Sequence, residues 1–215
     1  DIRQVKKVID RFTTIAQPVR VKIAVGACRF IASVSRIDSE EEAKIFIEHV
    51  SNEFNDATHN AYAYKLGLGD TAICRQNDAA EPVGTAGPPM LQAIENAGLT
   101  NVVVVGTRYF GGVKLGIGGL IRAYRSCAEA GLNAAEKVTE VFKKKITIEV
   151  PYDLIGTVLR EAAACGGEVD AVNYNEAGAA VICSAPFAAV KTLQVQIQEA
   201  TSGKAKVIIG HTNGC

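Results

Sequence analysis

The sequence predicts an α+β protein of two domains, the first over residues 1–137 and the second over residues 138–215. Three observations lead there. Val19, Val21, Ile23 and Val25 alternate, the pattern of a strand with one buried face. Residues 102–105 are all valine, the mark of a buried strand, and a glycine-rich stretch joins them to an amphipathic helix. From about residue 140 the periodicity switches in the order β-α-β-β-α-β, a small unit with its own apolar pattern.

The elements follow in chain order. Phe30, Ala32 and Val34 carry the first alternation past Gly26. Ser39 starts a helix, and Glu42 three residues later makes a capping box. Ala43, Phe46, Ile47, Val50 and Phe54 form its buried stripe, and Glu40, Glu41 and Glu42 suit the positive end of its dipole. Tyr62 and Tyr64 share one face of the next strand. Gly67 and Gly69 mark a turn before a short strand over residues 72–75. Residues 77–89 form a loop rich in glycine and proline, of the kind that often carries function. A helix over residues 90–97 stops at Gly98 and feeds the valine strand.

After Gly119 a helix runs to about Ala135, with Leu120, Ile121, Tyr124, Ala128 and Leu132 on one face. Residues 138–150 are strand-like. Asp153 is placed to cap a helix bearing Ile155, Val158, Leu159 and Ala162, which Gly166 and Gly167 stop. Two strands, 168–174 and 179–183, flank a hairpin turn. Pro186 opens a last helix with Val190, Leu193 and Ile197 on one face, and residues 207–209 make the final strand. This is the split βαβ, or ferredoxin-like, order.

The chain is organised around residues 108–120. Five glycines lie between Gly111 and Gly119, and the helix that follows presents unpaired amides that favour anions. Arg108, Lys114, Arg122 and Arg125 surround it, with no acid over residues 97–127. The expected anion or RNA site is therefore Arg108, Tyr109, Phe110, Gly111, Gly112, Lys114, Gly116, Gly118, Gly119 and Arg122. It is neither a P-loop nor a dinucleotide fingerprint: Ile117 follows Gly116, and Ile121 stands where the last fingerprint glycine belongs. The structural alternative is that the glycines only let the helix pack closely on the sheet.

Further candidates flank this stretch. His59 beside Asp56 and Thr58 is either an acid–base pair or a histidine satisfied locally at a strand entrance. Tyr62 and Tyr64 either stack bases or pack. Asp78, Glu81 and Thr85 lie in the loop over residues 77–89, where two carboxylates without a third ligand argue poorly for a metal.

Lysine plus arginine and aspartate plus glutamate both number 23, so net charge does not argue for nucleic acid. The distribution is uneven, with ten acids and three bases over residues 38–81. The six cysteines, with no Cys-x-x-Cys among them, read as free thiols of a reducing, cytoplasmic compartment. The three histidines show no ligand spacing with them, so no metal and no cofactor is expected. No apolar run reaches membrane-spanning length, and no membrane association is expected. Oligomeric state is not encoded in any visible pattern.

With these residues set out, the chain resembles the YigZ/IMPACT family, as a bacterial-type two-domain member. The resemblance is carried by residues 56–60 with Tyr62 and Tyr64, by Glu81, Pro82 and residues 84–87, and by residues 108–112 continuing through Leu115, Gly116 and residues 118–120. It covers roughly residues 28–132. It implies an N-terminal domain like domain IV of elongation factor G and related ribosomal-protein folds, with a left-handed crossover, and a second domain like that factor's ferredoxin-like C-terminal domain. Eukaryotic members act in translational control, by competing for the activator of a kinase that modifies an initiation factor. Bacterial-type members imply RNA or ribosome association. The chain departs from the family pattern at Ala79 and Ala80, usually Asp-Gly, at Val83, usually serine, and at Ala61, where cysteine is common.

Three functions are weighed on this basis. The first is a non-enzymatic binding protein of translation or its regulation, contacting RNA, the ribosome or a translation-related protein through the basic loop. The second is an enzyme acting on a phosphorylated or carboxylated small molecule there, with His59 or Asp78 as base. The third is an interaction module presenting its acidic helix to a basic partner.

Overall fold

The computed structural model describes residues 11–69 and 72–210. They divide into a unit built on Phe12–Glu140 and a unit built on the chain from Val141.

In the first unit, strands β1 (Arg11–Ile15), β2 (Val19–Val25) and β3 (Cys28–Arg36) lead into helix α1 (Glu40–Glu53). Strands β4 (His59–Leu66) and β5 (Ile73–Asn77), helix α2 (Gly87–Asn96), strand β6 (Val102–Tyr109), helix α3 (Gly116–Ala134) and strand β7 (Lys137–Val141) follow. The main sheet has the order β2-β3-β6-β4-β5, every pair antiparallel. β7 pairs with β1 in a separate two-stranded sheet.

The central strand β6 is buried on both faces. Val102 and Val104 face α2 and α3 beside Phe30, Ala63, Met90 and Tyr124, whereas Val103 faces α1 beside Tyr64, Leu66 and Ala43. That placement fixes a point of handedness. β3 and β4 run parallel with β6 between them, and β5 and β6 run parallel with β4 between them. A half-turn about the sheet normal brings one parallel pair onto the sense of the other. Their connecting helices α1 and α2 lie on opposite faces, so the two crossovers have opposite hands and one is left-handed, against the usual rule.

The capping box at α1 is shifted. Ser39 accepts the Glu42 amide at 3.1 Å, but the Glu42 carboxylate accepts the amide of Asp38, one residue outside the cap. Helix α2 begins three residues before the expected start, because its first turn takes up Pro88 and Pro89, whose missing amides cost nothing there. Helix α3 likewise starts at Gly116, so Gly118 and Gly119 lie within its first turn.

The expected single strand over residues 138–150 is two strands, β7 and β8 (Lys143–Val150), interrupted at Phe142 as they join different sheets. The second unit continues with α4 (Ile155–Ala164), β9 (Glu168–Asn175), β10 (Gly178–Pro186), α5 (Val190–Ala200) and β11 (Lys206–Ile209). Its order, β11-β8-β10-β9, is antiparallel throughout. Val158, Ala162, Leu193 and Ile197 of the two helices share one core with Ile146, Ile148 and Val181. This is the ferredoxin-like arrangement. Asp153 does not cap α4; it lies in a single 3-10 turn after Pro151.

The described cysteines, Cys28, Cys74, Cys127, Cys165 and Cys183, are free thiols, and Cys215 lies outside the described residues. Among the described residues no helix is long and apolar enough to cross a membrane.

Candidate functional site

The site is assembled where β6 ends and α3 begins. Alternation along β6 puts Arg108 on the α2/α3 face, opposite His59 of β4 and Phe30 of β3. Arg108 is only 6% exposed. Its Nη1 donates to Glu81 Oε1 at 2.8 Å and Oε2 at 3.1 Å, and its Nη2 lies 3.7 Å from Cys28 Sγ. Tyr124, reaching in from α3, donates its hydroxyl to Glu81 Oε1 at 2.7 Å. Burial, and then that bond, push the Tyr124 pKa up, so it stays a donor. Burial works against the Arg108 charge, but Glu81 and then Cys28 outweigh it and its pKa is raised. The expectation of Arg108 as a surface anion ligand is thus corrected: its charge is spent inside, on Glu81.

Glu81 is delivered by a tied loop. Asp78 accepts the amides of Gly84, Ala86 and Gly87 at 2.8, 2.9 and 2.9 Å. Burial alone would raise its pKa, yet the three donors together hold it below the usual carboxylate range. Asp78 therefore shapes the loop and offers no base. Thr85 is buried and donates to the Pro82 carbonyl at 2.7 Å. Ala79 and Ala80 have φ of +48° and +65°, left-handed conformations that glycine adopts freely.

His59 takes the locally satisfied reading. Its Nδ1 pairs with the Ala79 carbonyl at 2.8 Å, while Nε2 stands 3.8 Å from Glu81 Oε2. The Asp56–His59 pair does not form. Asp56 accepts the Tyr109 hydroxyl at 2.7 Å, and Thr58 accepts the Phe110 amide at 3.0 Å. Tyr109 lies on the other sheet face, its ring beneath the Arg29 guanidinium. Tyr62 and Tyr64 stack on each other on that face too, and Tyr64 is buried under α1 with its hydroxyl on Glu40. Base stacking on Tyr64 is closed off by that burial.

The glycines divide by role. A Cβ on Gly111 would stand 1.8 Å from the Ala27 carbonyl oxygen, so this position is a close backbone approach. Gly112 and Gly116 have φ of +88° and +70° with open space beside them. Gly118 is exposed in the first turn of α3, has no need of positive φ, and a Cβ there would meet only Arg122 Nη1 at 3.5 Å. Gly119 is close against Leu115 at 3.0 Å.

Lys114, Arg122 and Arg125 are exposed. Among the described residues none of them pairs with an acid. Beside Lys114 opens a cleft of about 410 Å³, lined by His59, Glu81, Pro82, Arg108, Phe110, Leu115, Gly116, Ile117 and Leu120 among others. Phe110 and Ile117 on its rim are 46% and 67% exposed. Among the described residues no group of three His, Cys, Asp or Glu side chains is arranged to hold a metal ion.

Tyr124 and Cys28 were not legible as site residues. Tyr124 read as one more apolar helix position, although a tyrosine on a buried stripe needs a partner for its hydroxyl.

Comparison with known proteins adds to this geometry. Residues 27–132 match the family described as the Impact N-terminal domain, and residues 144–210 the one described as the elongation factor G C-terminus. The chain is 36% identical over 165 residues to IMPACT family member YvyE of Bacillus subtilis, covering 77% of this chain and 76% of that one. It is 44% identical over 130 residues to an IMPACT family member encoded in the pol 5′ region of Thermus thermophilus, covering 60% of this chain and 69% of that one. Similarity to Protein IMPACT of rabbit, Oryctolagus cuniculus, is 29% over 89 residues, 40% of this chain and 28% of that one. A crystal structure of a hypothetical protein, 26% identical, superposes with a TM-score of 0.73 over 96% of this chain and all of the other.

Proposed function

The chain belongs to the IMPACT family, and from that premise we propose that it is a binding protein of translation or its regulation that contacts RNA, on or off the ribosome, at the start of α3. The observation that supports this most is the pair Lys114 and Arg122, exposed and, among the described residues, without acidic partners, at a helix start left bare by Gly112, Gly116 and Gly118, with exposed Arg125 further along the same helix. Such a place accommodates an anion, phosphate among them. The helix dipole contributes only about 0.3–1 kcal/mol at an exposed position, so the side chains supply most of the attraction. Exposed Phe110, Val113 and Ile117 beside the cations suit a ligand with flat apolar parts as well as charge. A reducing, cytoplasmic location fits the free thiols.

The enzymatic reading loses its second base, since Asp78 is fully engaged by backbone amides, and keeps only His59. A salt titration separates the two. Purified ribosomes and a single-stranded RNA are titrated with the parent protein and with Lys114→Ala/Arg122→Ala. The double variant is expected to bind more weakly and to show a shallower salt dependence, by about 0.7 in log–log slope for each phosphate that is no longer neutralised. Equal binding by both proteins across the salt range would assign the loop to packing and end this reading.

A further inference from the structure

We propose that the cleft beside α3 receives the base of an unpaired nucleotide, whose phosphate lies at the bare start of that helix. This rests on the RNA reading and names what the site holds. Lys114 and Gly116 line the same cleft as His59, Glu81 and Arg108, so an anion at the helix start and a group in the cleft are neighbours. At about 410 Å³ the cleft is of small-ligand size, where pockets run from about 300 to 1,000 Å³. A duplex does not fit such a space; a single splayed-out base does.

The lining matches a base in two respects. Phe110, Leu115, Ile117, Leu120 and Pro82 give apolar walls, and the rim residues Phe110 and Ile117 are exposed, surface that a stacked ring would cover. The polar groups are few and convergent. Glu81 Oε2 accepts one bond from Arg108 at 3.1 Å and retains capacity for another. Arg108 keeps a buried Nε–H with no acceptor among the described residues, although its side chain is only 7% exposed. A buried donor left in that state is costly, but it is shielded from the cleft and makes no ligand contact as it stands. His59 donates Nδ1–H to the Ala79 carbonyl, which leaves Nε2 for the cleft. Nucleobases carry amino or imino donors beside carbonyl or ring-nitrogen acceptors, the complement of a carboxylate next to a guanidinium.

The test uses the full chain, with adenosine 5′-monophosphate, uridine 5′-monophosphate and ribose 5-phosphate as probes, followed by NMR at the amides of Gly112 and Gly116 and at the rings of His59 and Phe110. All three are expected to shift the loop amides. Only the two nucleotides should shift the rings, and they should bind roughly tenfold tighter, the scale of base–aromatic stacking. Phe110→Ala, at a half-exposed position, should erase that advantage while ribose 5-phosphate binds as before. Equal binding of the sugar phosphate and the nucleotides, with the rings unmoved, would overturn the base site and leave the RNA reading to the Lys114/Arg122 experiment. Ring shifts by the nucleotides in a protein that shows no salt-dependent RNA binding would support the nucleotide site and remove the RNA reading.

Discussion

Arg108 holds Glu81 through one nitrogen, Nη1, which lies 2.8 Å from Oε1 and 3.1 Å from Oε2 with both side chains almost wholly shielded from solvent. Removing one member strands the other's charge in the core. Glu81→Ala is expected to destabilise the protein by about 3–5 kcal/mol in urea unfolding, whereas Glu81→Leu with Arg108→Met recovers most of that loss. An unchanged midpoint for Glu81→Ala would show that the pair is not what seats the loop on the sheet.

Ala80 sits at φ +65°, in the left-handed region. An L-residue there costs roughly 1–2 kcal/mol, part of which glycine returns as chain entropy lost on folding. Ala80→Gly is therefore expected to stabilise by about 0.5–1 kcal/mol, seen as a higher denaturant midpoint with an unchanged slope. A lower midpoint would count against backbone strain at this turn.

Asp78 gives the acid limb of stability a defined sign. Its folded pKa lies below the ordinary carboxylate range, so its contribution is present above its unfolded pKa, about 4, and drains away as pH falls through the folded value. Asp78→Asn should be less stable than the parent near pH 7, and the gap should narrow below about pH 4. A gap of constant size on acidification would show that the carboxylate charge is not what the three amides recognise.

Gly111 and Gly118 separate packing from access. Gly111→Ala places a Cβ 1.8 Å from the Ala27 carbonyl and is expected to lower thermal stability markedly. Gly118→Ala meets no backbone and should keep or raise stability, by up to about 1 kcal/mol of helix propensity. If Gly118→Ala also weakens RNA binding, the bare turn is used for approach. Full binding by that variant would reduce the glycine to a tolerated helix residue.

The unit beginning at Val141 has its own core of Ile146, Ile148, Val181, Leu193 and Ile197. Residues 140–215 expressed alone are expected to fold, with dispersed amide resonances and a cooperative thermal transition. A disordered fragment would move the proposed boundary.

How far the sequence carried can be told from particular residues. The second unit was legible because β8, α4, β10 and α5 each have one apolar face, and glycines or prolines punctuate the chain between them. The first sheet was harder. Its middle strand is buried on both sides, and a run of valines says nothing about which neighbours flank it. The starts of α2 and α3 were misplaced because prolines and glycines, read as loop, occupy first-turn positions. The cations were legible as charge, but not which of them is consumed internally. Arg108 and Lys114 look alike in the sequence, and only the strand's alternation against a loop arriving 27 residues earlier decides that one is buried.

The place of β6 bears on how the first unit comes into being. β6 lies at the centre of the five-stranded sheet, yet it is the last of those strands in the chain. A chain growing from its N-terminus holds only two separate hairpins, β2 with β3 and β4 with β5, until residue 109 is available. Two-stranded hairpins are marginal in water. The sheet thus closes in one late event that draws both hairpins onto β6, with α3 following to seal Gly106 beneath Tyr124. During synthesis this unit passes from nearly unstructured to nearly complete within a short length of chain, and an interruption before β6 leaves pairing edges exposed to other chains.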